Sequence, residues 1–289
     1  MKRILPLLLA ILFACPSAMS QRSDTTSCLG SVYVGGGAFF AGEQPLYRQD
    51  ISLLAPGSAL LAGGLSDHDY SNAGYEDATG LFDAGVSFHP FRKAGGLGPE
   101  LRVGFLYGGR STLTGYFSRN TRTPYDTLTS SQTGETFYVD SVHNSTYLVE
   151  YSAERFGLST SLVWRTKGRW SIYGGVGFAG GLLMNARTEV YHSTLEGVDD
   201  PNNSRPSDVH DGRYAGNGGT ETFRNGTGWW LSLNTPIGLD FQVARRSAFW
   251  SRVHLYDELR PQLLFQGSPE LGAGTNFGLQ SVFGVRLKL

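Results

Sequence analysis

Residues 229–243 read WWLSLNTPIGLDFQV. The odd positions are Trp229, Leu231, Leu233, Thr235, Ile237, Leu239, Phe241 and Val243, whereas Ser232, Asn234, Pro236, Gly238, Asp240 and Gln242 fall between them. Alternation of period two over about fifteen residues fits a strand with one apolar and one polar face. A helix of 3.6 residues per turn would bury Asn234 and Asp240 among leucines. The same pattern returns at 277–289, where Phe277, Leu279, Phe283, Val285, Leu287 and Leu289 alternate with Gly278, Gln280, Gly284, Arg286 and Lys288. It is also present at 82–89 and 100–107.

The stretch WSIYGGVGFAGG, Trp170–Gly181, contains the spacing G-x-G-x-x-G at Gly175, Gly177 and Gly180. A dinucleotide-binding turn would switch from strand to helix there. Here the period of two runs straight through the glycines, with Trp170, Ile172, Val176 and Phe178 on one face and Ser171, Tyr173, Gly175 and Gly177 on the other. The glycines are therefore expected to serve close packing inside a narrow ring of strands. No cofactor is implied.

The chain has 289 residues, with 39 Gly, 17 Phe and 14 Tyr, a composition that favours strands over helices. A formal net charge of -1 lacks the basic footprint of a nucleic-acid binder. Residues 1–20 read as a signal peptide: Lys2 and Arg3, an apolar run from Ile4, then Ala18-Met19-Ser20 before Gln21. Cleavage before Gln21 leaves Cys28 alone, without a partner for an intramolecular disulfide. Leu12-Phe13-Ala14-Cys15 offers a second route, lipidation at Cys15. Past residue 21 no apolar run reaches the ~20 residues of a spanning helix, so a membrane protein would have to cross as strands.

About eight strands are expected, near 29–42, 76–90, 98–117, 140–166, 169–195, 221–245, 248–267 and 274–289, preceded by a short segment 21–28. Short basic turns at Arg92-Lys93, Arg165–Arg169 and Arg245-Arg246 alternate with long connections near 43–75, 118–139 and 196–220. Short turns on one side and long loops on the other is the layout of a membrane barrel with periplasmic turns and extracellular loops. Trp164, Trp170, Phe249 and Trp250 flank the short turns as an interfacial girdle. The reading is an all-β chain, an antiparallel transmembrane β-barrel over 29–289. A soluble lipocalin-type barrel is the competitor, but an eight-stranded interior has no room for so many Leu, Phe and Trp.

On the segments WRTKGRWSIYGGVGFAGGLL, NTPIGLDF and VFGVRLKL, the chain resembles the small outer-membrane β-barrels of Gram-negative bacteria, of the OmpA, OmpX and OmpW type. The resemblance implies residence in the outer membrane as a monomer, contact with outer-membrane lipids, recognition by the barrel insertion machinery, and a structural, adhesive or ligand-binding role through the outer loops. Leu289 stands where that family typically ends on an aromatic residue.

Strand parity points Asp83, Glu100, Arg102, Asp240, Arg252, His254, Glu258, Arg260 and Arg286 inward. Both signs are present, so a salt-bridged plug is expected, with an ion or proton path as the sharper reading of these charges and a narrow channel for small or apolar solutes as the alternative function. His143-Asn144-Ser145 resembles the His-x-Ser of barrel lipid A deacylases, but Glu150 has the opposite parity, and no catalytic residue is assigned. Val198–Gly212 lacks the spacing of a calcium loop, and the N-x-S/T tripeptides at Asn144, Asn202 and Asn225 carry no weight in a bacterial protein.

Overall fold

The computed structural model describes residues 29–42, 46–71, 77–89, 98–129, 131–199 and 215–289. The signal peptide, Cys15, Cys28, the Arg92-Lys93 turn, Asn202 and most of the 198–212 loop lie outside the described residues.

Among the described residues eleven strands occur: β1 Leu29–Ala41, β2 Asp69–Ser71, β3 Asp77–Phe88, β4 Glu100–Thr129, β5 Thr136–Arg165, β6 Trp170–Asp199, β7 Ala215–Arg224, β8 Gly228–Asn234, β9 Ile237–Gln242, β10 Val253–Ser268 and β11 Gly272–Lys288. All pairings are antiparallel, and β1 bonds to both β3 and β11, which closes the sheet into a ring. The ring has eight staves, because β7, β8 and β9 together form one. That sixth stave was expected as a single strand. It is interrupted at Thr235-Pro236, facing Pro261 of β10, where two residues lack the N–H a ladder needs. The register on β10 is the same on either side of the break, from Asn234↔Gln262 to Ile237↔Leu259.

The alternation decides which face looks out. Leu231, Leu233, Ile237 and Leu239 are exposed, Leu233 at 57%, whereas Ser232, Asn234 and Asp240 are buried. Val32, Val34, Phe156, Leu158, Ile172, Val176, Phe178, Phe283 and Val285 extend the exposed apolar belt around the ring. Trp164, Trp170, Phe249 and Trp250 are also exposed, near the β5–β6 and β9–β10 turns. Polar residues inside and apolar residues outside is the inverse of a water-soluble barrel. Among the described residues no helix is long and apolar enough to cross a membrane.

Glycines let neighbouring staves approach closely. A Cβ on Gly177 would overlap the Asn234 side chain, and one on Gly181 would overlap the Phe156 carbonyl of β5.

β4, β5 and β6 are each 30 residues long. At ~3.3 Å per residue this is about 100 Å of strand, far more than an apolar band about 25 Å tall requires. The connection expected near 118–139 is largely strand: β4 and β5 pair from Glu100↔Val163 to Thr129↔Thr136. The sequence hid this because a strand in water needs no apolar face. Register shifts at Gly108/Arg110 and Ser152/Glu154 mark one level across the three strands, and Asn185 of β6, at φ 53°, is the sole non-glycine with positive φ among the described residues. Bulges bend strands and increase twist. Below this level β4–β6 belong to the ring; above it, with β7, they form an open sheet.

The segment 46–71 is also more than a loop. It carries α1, Arg48–Leu54, two 3₁₀ turns at Leu61–Gly63 and Leu65–Asp67, and then β2, which pairs with Tyr116–Ser118 of β4. Leu46, Ile51, Leu54 and Ala55 are almost fully buried in one cluster with Phe117, Tyr147, Val149 and Val190.

Leu239→Arg places a charge in the exposed apolar belt and is expected to cost about 2–4 kcal/mol, whereas Tyr125→Arg on the β4 extension should be near neutral. Urea unfolding in lipid vesicles measures both. Equal tolerance would contradict a lipid-facing belt.

Candidate functional site

The inward residues of β3, β4, β9, β10 and β11 meet those of the β5–β6 turn in one charged cluster near the short-turn end. Asp83, Glu100, Asp240 and Glu258 are buried to 2% exposure or less, and Arg102, His254, Arg260 and Arg286 are buried with them. Arg102 donates to Glu258 at 2.7 Å and to Glu100 at 3.4 Å. Arg260 bridges Asp83 and Glu258. Arg286 contacts Asp240 at 2.9 Å and Glu100 at 3.3 Å, and His254 Nδ1 lies 2.6 Å from Asp240. Arg165 sits 2.8 Å from Asp240 and 3.4 Å from Glu100.

Four arginines thus face four carboxylates, and each carboxylate holds at least one cation. Burial of so many charges is tolerable only when each has a partner. Tyr173 packs on the group, its ring 4.7 Å from the Arg102 guanidinium and 4.5 Å from that of Arg165. Further along the lumen Ser232 donates to Gln262 at 2.7 Å, Gln280 donates to Gln262 at 3.1 Å, and Arg155 donates to Gln266 at 3.3 Å and to Ser111 at 3.1 Å.

Sequence parity brought together Asp83, Glu100, Arg102, Asp240, His254, Glu258, Arg260 and Arg286. Arg252 is a correction. It lies in the exposed turn before β10, which begins at Val253, so counting parity back from His254 runs past the end of the strand. Arg165 was missed because it was read as part of a basic turn; it is the last residue of β5, with the same parity as the inward Val163.

A second polar group lies under the 46–71 segment. The Ser145 hydroxyl is 2.8 Å from His68 Nε2 and 3.0 Å from His192 Nε2. His68 Nδ1 is 3.1 Å from the Gly64 carbonyl, which requires the proton on Nδ1. The Ser145 hydroxyl thus links the two imidazole rings. Tyr147 stacks on His192 at 4.1 Å, and its hydroxyl donates to the Leu60 carbonyl. The His-x-Ser pairing is not formed: His143 faces Glu196 at 3.1 Å instead. Further contacts between cap and wall run from Ser58 to Glu221, from Asn225 to the Leu54 carbonyl at 2.9 Å, and from Arg119 to Asp67 at 3.2 Å. Among the described residues no group of three or more His, Cys, Asp or Glu could hold a metal ion.

A closed antiparallel ring, an apolar outer belt and a charge-filled interior define a membrane-spanning β-barrel of the Gram-negative outer-membrane type. Among solved structures, Neisserial surface protein A aligns over 89% of this chain and 97% of its own at 12% identity and a TM-score of 0.33. The attachment invasion locus protein Ail of Yersinia pestis aligns over 91% and 100% at 10% identity and a TM-score of 0.26. No protein-family model and no curated protein matches the chain. The assignment to a membrane barrel accordingly rests on the closed ladder and its two faces.

Burial, with His68 and His143 adding like charge, pulls the His192 imidazole below its ordinary value. The docked segment then binds fewer protons than the released one, so its stability is complete above about pH 6.5 and declines as pH falls below that value. A spin label at Ser52→Cys should gain mobility on acidification from pH 7.5 to 5, and His192→Gln should weaken that response. Identical mobility at both pH values would contradict a cap whose docking is linked to the His192 imidazole.

Proposed function

We propose that this is a sealed outer-membrane barrel whose task is carried by the part that rises beyond the membrane: an adhesive or ligand-binding platform made of the β4–β7 sheet and the docked segment 46–71. The observation that carries this reading is the continued pairing of β4 with β5 and of β5 with β6 above the bulges, as far as Thr129↔Thr136 and Asp140↔Asp199, with one further register shift at Pro124/Asp126. Loops that only joined staves would need a few residues. A paired sheet with its own apolar cluster is instead a rigid surface, ordered before any partner arrives, which lowers the entropic cost of binding.

The lumen supports the same reading. With about eight staves the ring has room only for its own side chains, and charges of both signs pair across it. Solute passage is therefore the weaker alternative. Lipid-directed hydrolysis is weaker still, because Ser145 is covered by the 46–71 segment and hydrogen-bonded on both sides. No reaction is assigned. Contact with outer-membrane lipids through the apolar belt, delivery by the barrel insertion machinery and a monomeric state complete the proposal.

On intact cells a membrane-impermeant maleimide should label Tyr125→Cys and leave Lys167→Cys unlabelled. Replacing residues 119–143 by a tight turn should abolish adhesion of expressing cells to immobilised host-matrix proteins and glycans while the barrel keeps its heat-modifiable gel mobility. Labelling at Lys167 alone, or adhesion unchanged by the replacement, would overturn the proposal.

A further inference from the structure

A cavity of about 360 Å³ opens at the short-turn end of the barrel, beneath the charged cluster. Its wall includes Arg165, Lys167, Arg286, Lys288 and His254, against one carboxylate, Glu100. Asp240 stands behind Arg165, Arg286 and His254, and Leu289 reaches the wall as well. Among the described side chains of this wall, Arg165, Lys167, Arg286 and Lys288 outnumber Glu100 and the Asp240 behind it, which leaves the lining positive. The charge balance of the cluster above therefore does not extend to this mouth.

The nitrogens of this wall supply a second observation. His254 and Arg286 are more than nine-tenths buried, and His254 Nε2 and Arg286 Nε have no hydrogen-bond partner among the described residues. Arg165 adds an unbonded terminal nitrogen. These three side chains come from β10, β11 and the end of β5, and all three line the cavity. A buried donor without an acceptor is unfavourable, and two guanidinium nitrogens on one wall, beside the unpartnered His254 Nε2, mark a place where an acceptor that is not part of the chain would be favourable.

We propose that this cavity is an oxyanion site for a phosphate group. A tetrahedral anion offers acceptors in several directions at once, which a planar carboxylate does not, and Arg and Lys are the side chains suited to it. Glu100 selects further: hydrogen phosphate can donate its P–OH to that carboxylate, whereas sulfate has no proton to give. Neutral His254 can accept such a proton at Nε2, and protonated His254 can donate from it, because Asp240 occupies only Nδ1. The phosphate can belong to a soluble ion or to a phospholipid headgroup lying level with the barrel mouth. The site stands independently of the adhesive reading, since it lies at the opposite end of the barrel.

The test is calorimetric titration of the full barrel in a nonionic detergent at low ionic strength, with inorganic phosphate, with sulfate, and with short-chain phosphatidylglycerol. Saturable binding of phosphate is expected, at least tenfold tighter than sulfate. In Lys167→Gln/Lys288→Gln, which leaves the buried cluster intact, affinity should fall at least tenfold. His254→Gln should weaken binding as well; if that variant fails to assemble, the lysine pair carries the test. Binding of the lipid but not of free phosphate would assign the headgroup as the source and uphold the site. Absence of saturable binding by either ligand, equal affinity for sulfate, or full affinity in the lysine variant would overturn it.

Discussion

The pairing of four arginines with four carboxylates inside a ring of eight staves is the constraint on which the rest of the structure depends. A ring of that size has an interior about as wide as its own side chains, so whatever points inward must fit together without water. Isolated charges there would be prohibitive, and removal of one partner from such a pair typically costs about 3–5 kcal/mol. The glycines belong to the same constraint. Gly177 lets Asn234 lie across its stave, and Gly238 gives the Tyr173 ring room beside the cluster. Large side chains on one stave are thus matched by absent ones on the next.

The second organising feature is the change of regime at the bulges. Below them the three long strands obey membrane rules, with Phe156, Leu158, Val176 and Phe178 turned outward. Above them the apolar side chains turn inward: Tyr147, Val149, Tyr151 and Val190 are buried against the 46–71 segment. Outward and inward faces exchange roles because the solvent changes from lipid to water. Gly109 on β4 and the extra residue on β6, where Asn185 and Ala186 lie opposite the single Ala153 and Asn185 takes a left-handed backbone, absorb the mismatch in parity. The same three strands thereby serve two environments.

Much of this was legible in the sequence wherever one face met lipid. Residues 229–243 announce their parity, and parity alone placed Asp83, Glu100, Glu258 and Arg286 in one cluster. A change of apolar parity near Glu154-Arg155 is visible in the sequence as well, and it coincides with the bulge. What could not be read were features set by long-range contact. Leu46, Ile51 and Leu54 sit in a polar connection with no period to reveal their burial, because the surface that covers them lies on β4–β6, far away in sequence. His68, Ser145 and His192 carry no motif; docking of the cap brings them together. Arg165 and Arg252 show the limit of parity at strand ends, where one residue decides between lumen and water.

The central claim is that the charged cluster closes the barrel. The most direct measurement is current across a planar bilayer containing the purified protein. The account predicts no steady conductance from the unmodified chain, and for Glu258→Gln a loss of thermal stability rather than an open pore. Steady single-channel currents from the unmodified protein, altered by Glu258→Gln or Asp240→Asn, would contradict it.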